Sequence, residues 1–199
     1  GLLTLQNEVL EHLARTAPGL GIPRLVRTLT GAEVTEWKSG AALHAVRLLT
    51  YLPGRPFSEV EKTPALLASL GGFMGRVADG LKGFGHPGSH RPRFLWNLDE
   101  AGAVKPWLED VVPEHRALVE RCFIRHETRV IPRFERRRAG VLHQDANDNN
   151  LIVNPDGSAV TGLIDFGDMT FGRQINELAV TLAYALLDMP DVYSAARPL

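Results

Sequence analysis

The chain reads as an α+β protein, with a small sheet lobe near its start and a mainly helical lobe after it. Three observations predict this. Strand-like segments crowd between residues 24 and 51. Stripes of apolar residues at three- and four-residue steps occupy most of the remainder. One hairpin signal is embedded late in the chain. Runs of unlike elements, without regular strand–helix alternation, mark the α+β class.

Residues 2–14 form the first predicted helix, because Leu2, Leu5, Val9 and Leu13 fall on one face and Pro18-Gly19 ends it. The period then changes. Arg24 to Leu29, Val34 to Lys38 and Leu43 to Tyr51 are predicted strands, separated by Gly31 and by Ser39-Gly40. Pro53-Gly54 stops the third, and a linker runs to about residue 62. Thr63-Pro64 starts a helix with a hydroxyl cap and a proline whose missing N–H does no harm there. Leu66, Leu67, Leu70, Phe73, Met74, Val77 and Leu81 give it one apolar face. Residues 83–106 are irregular. Leu118, Val119, Cys122, Phe123, Val130 and Phe134 make a second long stripe, with a kink or early end expected at Pro132. Val141-Leu142 is a short strand. Leu151-Ile152-Val153 and Val160 to Ile164 flank the turn Asn154-Pro155-Asp156-Gly157, which predicts a hairpin. Ile175, Leu178, Ala179, Leu182 and Leu186 form the apolar face of a last helix.

Composition narrows the function. The 199 residues carry 22 Lys plus Arg against 23 Asp plus Glu, a net charge of −1. That balance argues against a nucleic-acid partner, whose phosphates need an excess of Lys and Arg. Apolar residues at 44% and charged residues at 23% fit a globular chain and not a disordered one. Cys122 stands alone, which excludes an intrachain disulfide and a thiolate zinc cluster and suits a reducing compartment. No apolar run approaches the ~18 residues of a membrane span, and no basic-then-apolar leader opens the chain. The expected location is the cytoplasm, with no membrane partner.

The chemistry converges on residues 143–168. His143-Gln144-Asp145, Asn150 five residues after Asp145, and Asp165 in Ile164-Asp165-Phe166-Gly167-Asp168 all fall at the ends of short apolar strands or in the loops joining them. Phosphoryl transfer needs an oriented hydroxyl, a carboxylate to take its proton, and a divalent cation held by hard oxygens against the phosphates. Asp145 supplies such a base. Asn150 and Asp165 supply one carboxamide and one carboxylate oxygen for magnesium, and Asn150 adds no further negative charge. Asp145 on its own also fits a helix cap, and Asp168 is weighed as a second metal-site carboxylate against a cap for the following helix, with the cap favoured. Gly83-Phe84-Gly85-His86-Pro87-Gly88 matches G-x-G-x-x-G, but it follows a helix and contains a proline, so it is read as a decoy. Arg133, Arg136, Arg137 and Arg138 suit a helix C-terminus. Cys122 is read as inert packing on an apolar face. Asp148 and Glu177 are weighed as walls of a cationic-substrate pocket against solvated surface.

The H-x-D-x-x-x-x-N spacing followed by D-F-G is the grammar of protein-kinase-like phosphotransferases. In the stretches 143–150 and 162–169 this chain resembles the aminoglycoside phosphotransferase family of small-molecule kinases, nearest the branch that holds hydroxylysine kinase and phosphotransferase modules fused to aminotransferases. Glu177-Leu178-Ala179, Ala183-Tyr184-Ala185, the segment Arg47 to Gly54, His86-Pro87, Arg91 and Trp96-Asn97-Leu98 extend the resemblance over nearly the whole chain. It implies a two-lobe protein-kinase-like fold, with residues 1–53 as an incomplete first lobe and 54–199 as a helical second lobe lacking its last helices. It implies Asp145 as catalytic base, His143 as a brace of that loop, and Asn150 and Asp165 as ligands of Mg2+. ATP or GTP would be the phosphate donor, its purine meeting backbone groups of Thr50, Tyr51 and Leu52. Glu8 matches the glutamate that pairs with a phosphate-binding lysine. The implied partner is a small amine-bearing acceptor resembling an amino alcohol, hydroxylysine or an aminoglycoside. Gln144 departs from the glycine common at its place, which is expected to alter loop packing and not chemistry. The four lysines, Lys38, Lys62, Lys82 and Lys105, all follow Glu8. The chain is therefore expected to be part of a longer polypeptide, fused to or continued by further segments, and inactive by itself. Two rival readings are a non-catalytic kinase-like module with a relic site, and a metal-dependent hydrolase using His143 and Asp145.

Overall fold

The computed structural model describes residues 1–197 and Leu199, with Glu135 described by its backbone alone. Helix α1 (Leu2–Thr16) buries Leu5, Val9 and Leu13, the four-residue spacing of one helical face, together with Leu10. Helix α2 (Pro64–Gly80) begins where the cap predicts, with Thr63 Oγ1 accepting the Leu66 N–H at 3.1 Å. The two helices meet closely. Thr16 Oγ1 donates to the Gly80 carbonyl at 2.9 Å, and a Cβ at Gly80 would stand 2.8 Å from Leu13 Cδ2. Only bare backbone fits there.

Strands β1 (Leu25–Val26), β2 (Thr35–Ser39), β3 (Ala42–Val46) and β4 (Leu48–Leu49) form two antiparallel pairs, β1 with β4 and β2 with β3. The single strand predicted over Leu43 to Tyr51 is thus divided at Arg47. The chain leaves its β2 partner there and joins β1, and the Arg47 guanidinium turns to α1, donating to Asn7 Oδ1 at 2.8 Å and to Gln6 Oε1. All ten residues of β2 and β3 are exposed, so this hairpin is a ladder outside the core. The predicted linker contains β5 (Arg55–Pro56), a two-residue strand too short to show any period, and then Phe57, fully buried.

The second long stripe differs most from expectation. Helix α3 (Pro113–Arg125) is followed by a π-turn over His126–Val130 and a 3₁₀ segment over Ile131–Arg136. Pro132 lacks the N–H an α-helix needs there, and the Ile131 N–H reaches back five residues to the His126 carbonyl. Only Phe134 of the predicted face is buried, and Cys122 is exposed, which corrects its reading as packing. The described residues cover that face of α3 only in part: Val119 and Phe123 are half-buried, with Lys105 over the Phe123 ring, and Leu118 is exposed.

Strands β6 (Ala139–Leu142), β7 (Leu151–Val153), β8 (Val160–Leu163) and β9 (Thr170–Arg173) frame the residues of interest. The hairpin β7–β8 forms as predicted, with Leu151 opposite Leu163, and β5 adds a third strand with Arg55 opposite Val153. β6 pairs with β9, Leu142 opposite Thr170. The segment after α1 lies on β8: the Leu163 N–H donates to the Gly21 carbonyl at 2.9 Å, and a Cβ at Gly21 would stand 1.8 Å from the Thr161 carbonyl oxygen. One apolar cluster joins α1, α2, the β7–β8 hairpin, Val141, Phe166 and Met169.

Helix α4 (Ile175–Ala185) is turned about its axis relative to the sequence reading, and α5 (Val192–Ala196) follows it. α4 buries Asn176, Glu177, Thr181 and Ala185, while Ile175 and Leu178 are exposed. Buried polar partners decide this orientation: Asn176 Nδ2 donates to Asp99 Oδ1 at 2.7 Å, and Glu177 receives two backbone N–H groups. Among the described residues no helix is long and apolar enough to cross a membrane.

Candidate functional site

Two loops lie side by side where β6, β7 and β8 end. The Ile164 N–H donates to the Asn150 carbonyl at 2.9 Å, which seats Asp165 next to the end of the loop 143–150. Asp165 and Gln144, one on each loop, have left-handed backbones with φ of +60° and +68°. Such residues are strained and persist only where their surroundings fix them.

His143 holds the loops together. It is fully buried, its Nε2 donates to the Ile164 carbonyl at 3.0 Å, and its Nδ1 accepts the Asp145 N–H at 3.2 Å. Its edge rests on the Phe166 ring, centroids 4.7 Å apart. Burial pushes its pKa down to about 4, so the ring is neutral at pH 7 with its proton on Nε2. Both nitrogens are engaged, which removes His143 as a metal ligand and with it the hydrolase reading.

The Asp145 carboxylate accepts Asn147 Nδ2 at 2.8 Å on Oδ1 and Asn150 Nδ2 at 2.7 Å on Oδ2. Asn147 also accepts the Asn149 and Asn150 N–H groups on Oδ1. The run Asn147-Asp148-Asn149-Asn150 is thus a side-chain-stapled turn that aims Asp145, and Asn147 is a positioning residue that sequence reading missed. Because Asn150 Nδ2 is used on Asp145, its Oδ1 is left as a bare acceptor. Asp165 Oδ1 takes the Gly167 N–H at 3.1 Å, and its Oδ2 has no hydrogen-bond partner among the described residues. No three His, Cys, Asp or Glu side chains among the described residues converge on one metal position. The available set is one carboxylate and one carboxamide oxygen, which suits a magnesium ion that keeps waters and phosphate oxygens as its other ligands.

Asp145 opens onto a cavity of about 390 Å³, whose walls include Trp96, Gln144, Asp168 and Tyr184. Asp168 does not cap α4, whose N-terminal flank is Gln174. It faces this cavity instead, 3.9 Å from Arg91, and burial, reinforced by Asp145, raises its pKa while Arg91 opposes. Arg91 lies 3.5 Å over the Phe94 ring and donates to the Gly167 carbonyl at 3.2 Å, so it braces the loop carrying Asp165. Of the residues considered upstream, Trp96 joins the cavity, and His86 stands 3.9 Å from Glu8. Glu8 is exposed on α1 and does not line the cavity. The Thr50 N–H donates to the Arg24 carbonyl at 2.9 Å, and Tyr51 is exposed. Residues 83–88 follow α2 and run into a 3₁₀ turn over Pro87–Ser89, so they open no α-helix, as the decoy reading requires.

Asp148 and Glu177 do not line the cavity. Asp148 sits in the stapled turn. Glu177 is buried beneath the loop, its Oε2 accepting the His143 N–H at 2.7 Å and its Oε1 the Gln144 N–H at 3.2 Å. A carboxylate inside an otherwise apolar helical repeat is the sequence signal for this role. Burial pushes the Glu177 pKa up to about 7, against the pull of those two N–H groups. The folded state therefore keeps a proton that the unfolded chain, with an ordinary value of 4.5, releases. Stability from this group falls as pH rises from 4.5 to 7. His143 acts oppositely, losing stability as pH falls from 6.5 to about 4. The two slopes oppose each other where the windows overlap. Glu177→Gln is expected to unmask the His143 slope, so that stability in urea rises with pH between 4.5 and 6.5 more steeply than in wild type. Parallel curves would contradict the assignment.

Comparison with known proteins places the chain among phosphotransferases. A family model described as "Phosphotransferase enzyme family" matches residues 3–196. The hydroxylysine kinase of Xenopus laevis is 33% identical over 96% of this chain and 55% of its own length. That of Mus musculus is 29% identical over 94% of this chain and 53% of its own length. The chain spans about half the length of the curated relatives it matches. Among solved structures, a microcompartment-associated aminopropanol kinase superposes with a TM-score of 0.71 at 20% identity, over 97% of this chain and 61% of its own. The aminoglycoside phosphotransferase APH(3'')-Id of Streptomyces rimosus, solved with ADP and streptomycin, superposes with a TM-score of 0.61 at 21% identity, over 98% of this chain and 72% of its own. These neighbours establish the kinase-like fold. With a family match running from α1 to α5, the chain belongs to the phosphotransferase enzyme family.

Proposed function

We propose that the protein carrying this chain moves the γ-phosphoryl group of ATP or GTP to a hydroxyl of a small amine-bearing acceptor, of the hydroxylysine, amino-alcohol or aminoglycoside kind. The observation that carries this reading is Asp145 facing the cavity while the bare oxygens of Asn150 and Asp165 flank the same loops. Asp145 orients the acceptor hydroxyl and takes its proton as the new bond forms. Magnesium held by Asn150 Oδ1 and Asp165 Oδ2 would neutralise charge on the donor phosphates. His143 and Glu177 fix the loop, so that catalysis rests on positioning and electrostatics. Thr50, Tyr51 and Leu52, next to β4, offer backbone groups to the purine, and Glu8 pairs with a lysine from an upstream strand. In this reading residues 1–53 belong to a first lobe and 54–199 to a second, the site lies between them, and the protein works in the cytoplasm. Relatives named as hydroxylysine kinases make hydroxylysine the first acceptor to try.

The test is phosphorus NMR of the intact protein incubated with magnesium, ATP or GTP, and 5-hydroxylysine, 1-amino-2-propanol or ethanolamine. A new phosphomonoester signal on at least one acceptor is expected, absent without magnesium. No phosphomonoester with either nucleotide would contradict the reading.

A further inference from the structure

Gln144 occupies a confined place in the loop that carries Asp145. Its backbone is left-handed, at φ +68°, where a glycine carries no penalty and a glutamine does. Its side chain is 97% buried, being 3% exposed, and forms part of the cavity wall next to Asp145. Nε2 donates to the Trp96 carbonyl at 2.8 Å. That carbonyl can only accept, so the orientation of the amide is fixed. Oε1 is then left buried with no hydrogen-bond partner among the described residues. A buried acceptor without a donor costs about 1–3 kcal/mol, and the strained backbone adds to it. Gln144 forms part of the cavity wall, and the cavity is the side from which a donor would reach this oxygen. In the same cavity stand two carboxylates, Asp145 and Asp168. An incoming group that satisfies this arrangement carries positive charge and N–H donors together.

We infer that Gln144 is a specificity-determining residue, whose Oε1 receives an N–H of the acceptor's primary ammonium group while Asp168 balances its charge. This rests on the phosphotransferase reading above and deepens it. A site that hydrogen-bonds a donor discriminates strongly against an analogue lacking it, because the buried acceptor is then left unpaired. Charge alone would not discriminate. A trimethylated amine keeps the charge and has no N–H.

The experiment compares 5-hydroxylysine, 1-amino-2-propanol and ethanolamine with their N,N,N-trimethyl counterparts as acceptors for the intact protein with magnesium and ATP. Two variants, Gln144→Gly and Gln144→Asn, are measured beside wild type, both side chains being at ease at positive φ. Wild type is expected to show a KM at least about 10-fold lower for the best primary amine than for its trimethyl counterpart. In both variants that ratio is expected to fall to within about 3-fold, through a raised KM for the amine, with kcat and the nucleotide KM nearly unchanged. An unchanged ratio in both variants, or equal acceptance of both amines by wild type, would reduce Gln144 to packing and overturn the inference while leaving the kinase reading intact. Transfer to none of the six compounds would overturn that reading and this inference together.

Discussion

Replacing Asp165 with alanine in the intact protein is expected to lower phosphoryl transfer by on the order of 10³-fold or more. The substitution removes a carboxylate oxygen next to the loop junction that has no hydrogen-bond partner among the described residues. Asp165 stands after Ile164, whose N–H is tied to the Asn150 carbonyl and whose own carbonyl takes the His143 proton. Those contacts belong to neighbouring backbone, so they persist in the variant and the fold survives. The left-handed φ of +60° relaxes or is tolerated at a cost of about 1–2 kcal/mol. Loss of activity with retained cooperative unfolding therefore identifies a chemical role. The check is initial rate against magnesium concentration: the variant is expected to show no magnesium-dependent rise. A variant with wild-type rates would exclude Asp165 from the phosphate-charge machinery.

Asp145→Ala is expected to lower kcat by roughly 10²- to 10⁴-fold, the range for removing a positioned general base, while the KM for nucleotide stays close to wild type. The difference from Asp165 follows from position. Asp145 lines the acceptor cavity, and its carboxylate is held by the amides of Asn147 and Asn150. Its loss takes an acceptor from Asn147 Nδ2, while Asn150 Nδ2 keeps the backbone carbonyl of residue 145 at 2.9 Å, so the stability penalty stays small. Single-turnover kinetics separates the effects, since a lost base slows the chemical step and leaves nucleotide binding intact. A fall in nucleotide affinity equal to the fall in rate would move Asp145 from base to phosphate-binding group.

The sequence makes the centre of the site legible because the spacing of His143, Asp145, Asn150 and Asp165 is set by strands whose apolar cores and turn residues are visible. Val141-Leu142, Leu151 to Val153 and the Asn154-Pro155-Asp156-Gly157 turn all form as read. What escapes is decided at longer range. The orientation of α4 depends on Glu177 meeting the backbone of His143 and Gln144, which no local pattern reports, and its apolar stripe points elsewhere. The stripe of α3 has the right period, but the described residues cover it only in part. β5 and β9 draw their stability from β7 and β6 and carry no period of their own. The sequence marks Gln144 only as a change in loop packing. Its importance lies in an amide oxygen whose partners can be counted only in three dimensions.

Calorimetric titration of the intact protein with ATP, in the presence and absence of magnesium, tests most directly whether two side-chain oxygens hold the cation beside the base. Asn150→Ala and Asp165→Ala are each predicted to lose the magnesium-dependent part of nucleotide affinity, and Asp145→Ala to keep it. Equal magnesium dependence in all three variants and wild type would contradict the assignment of that oxygen pair.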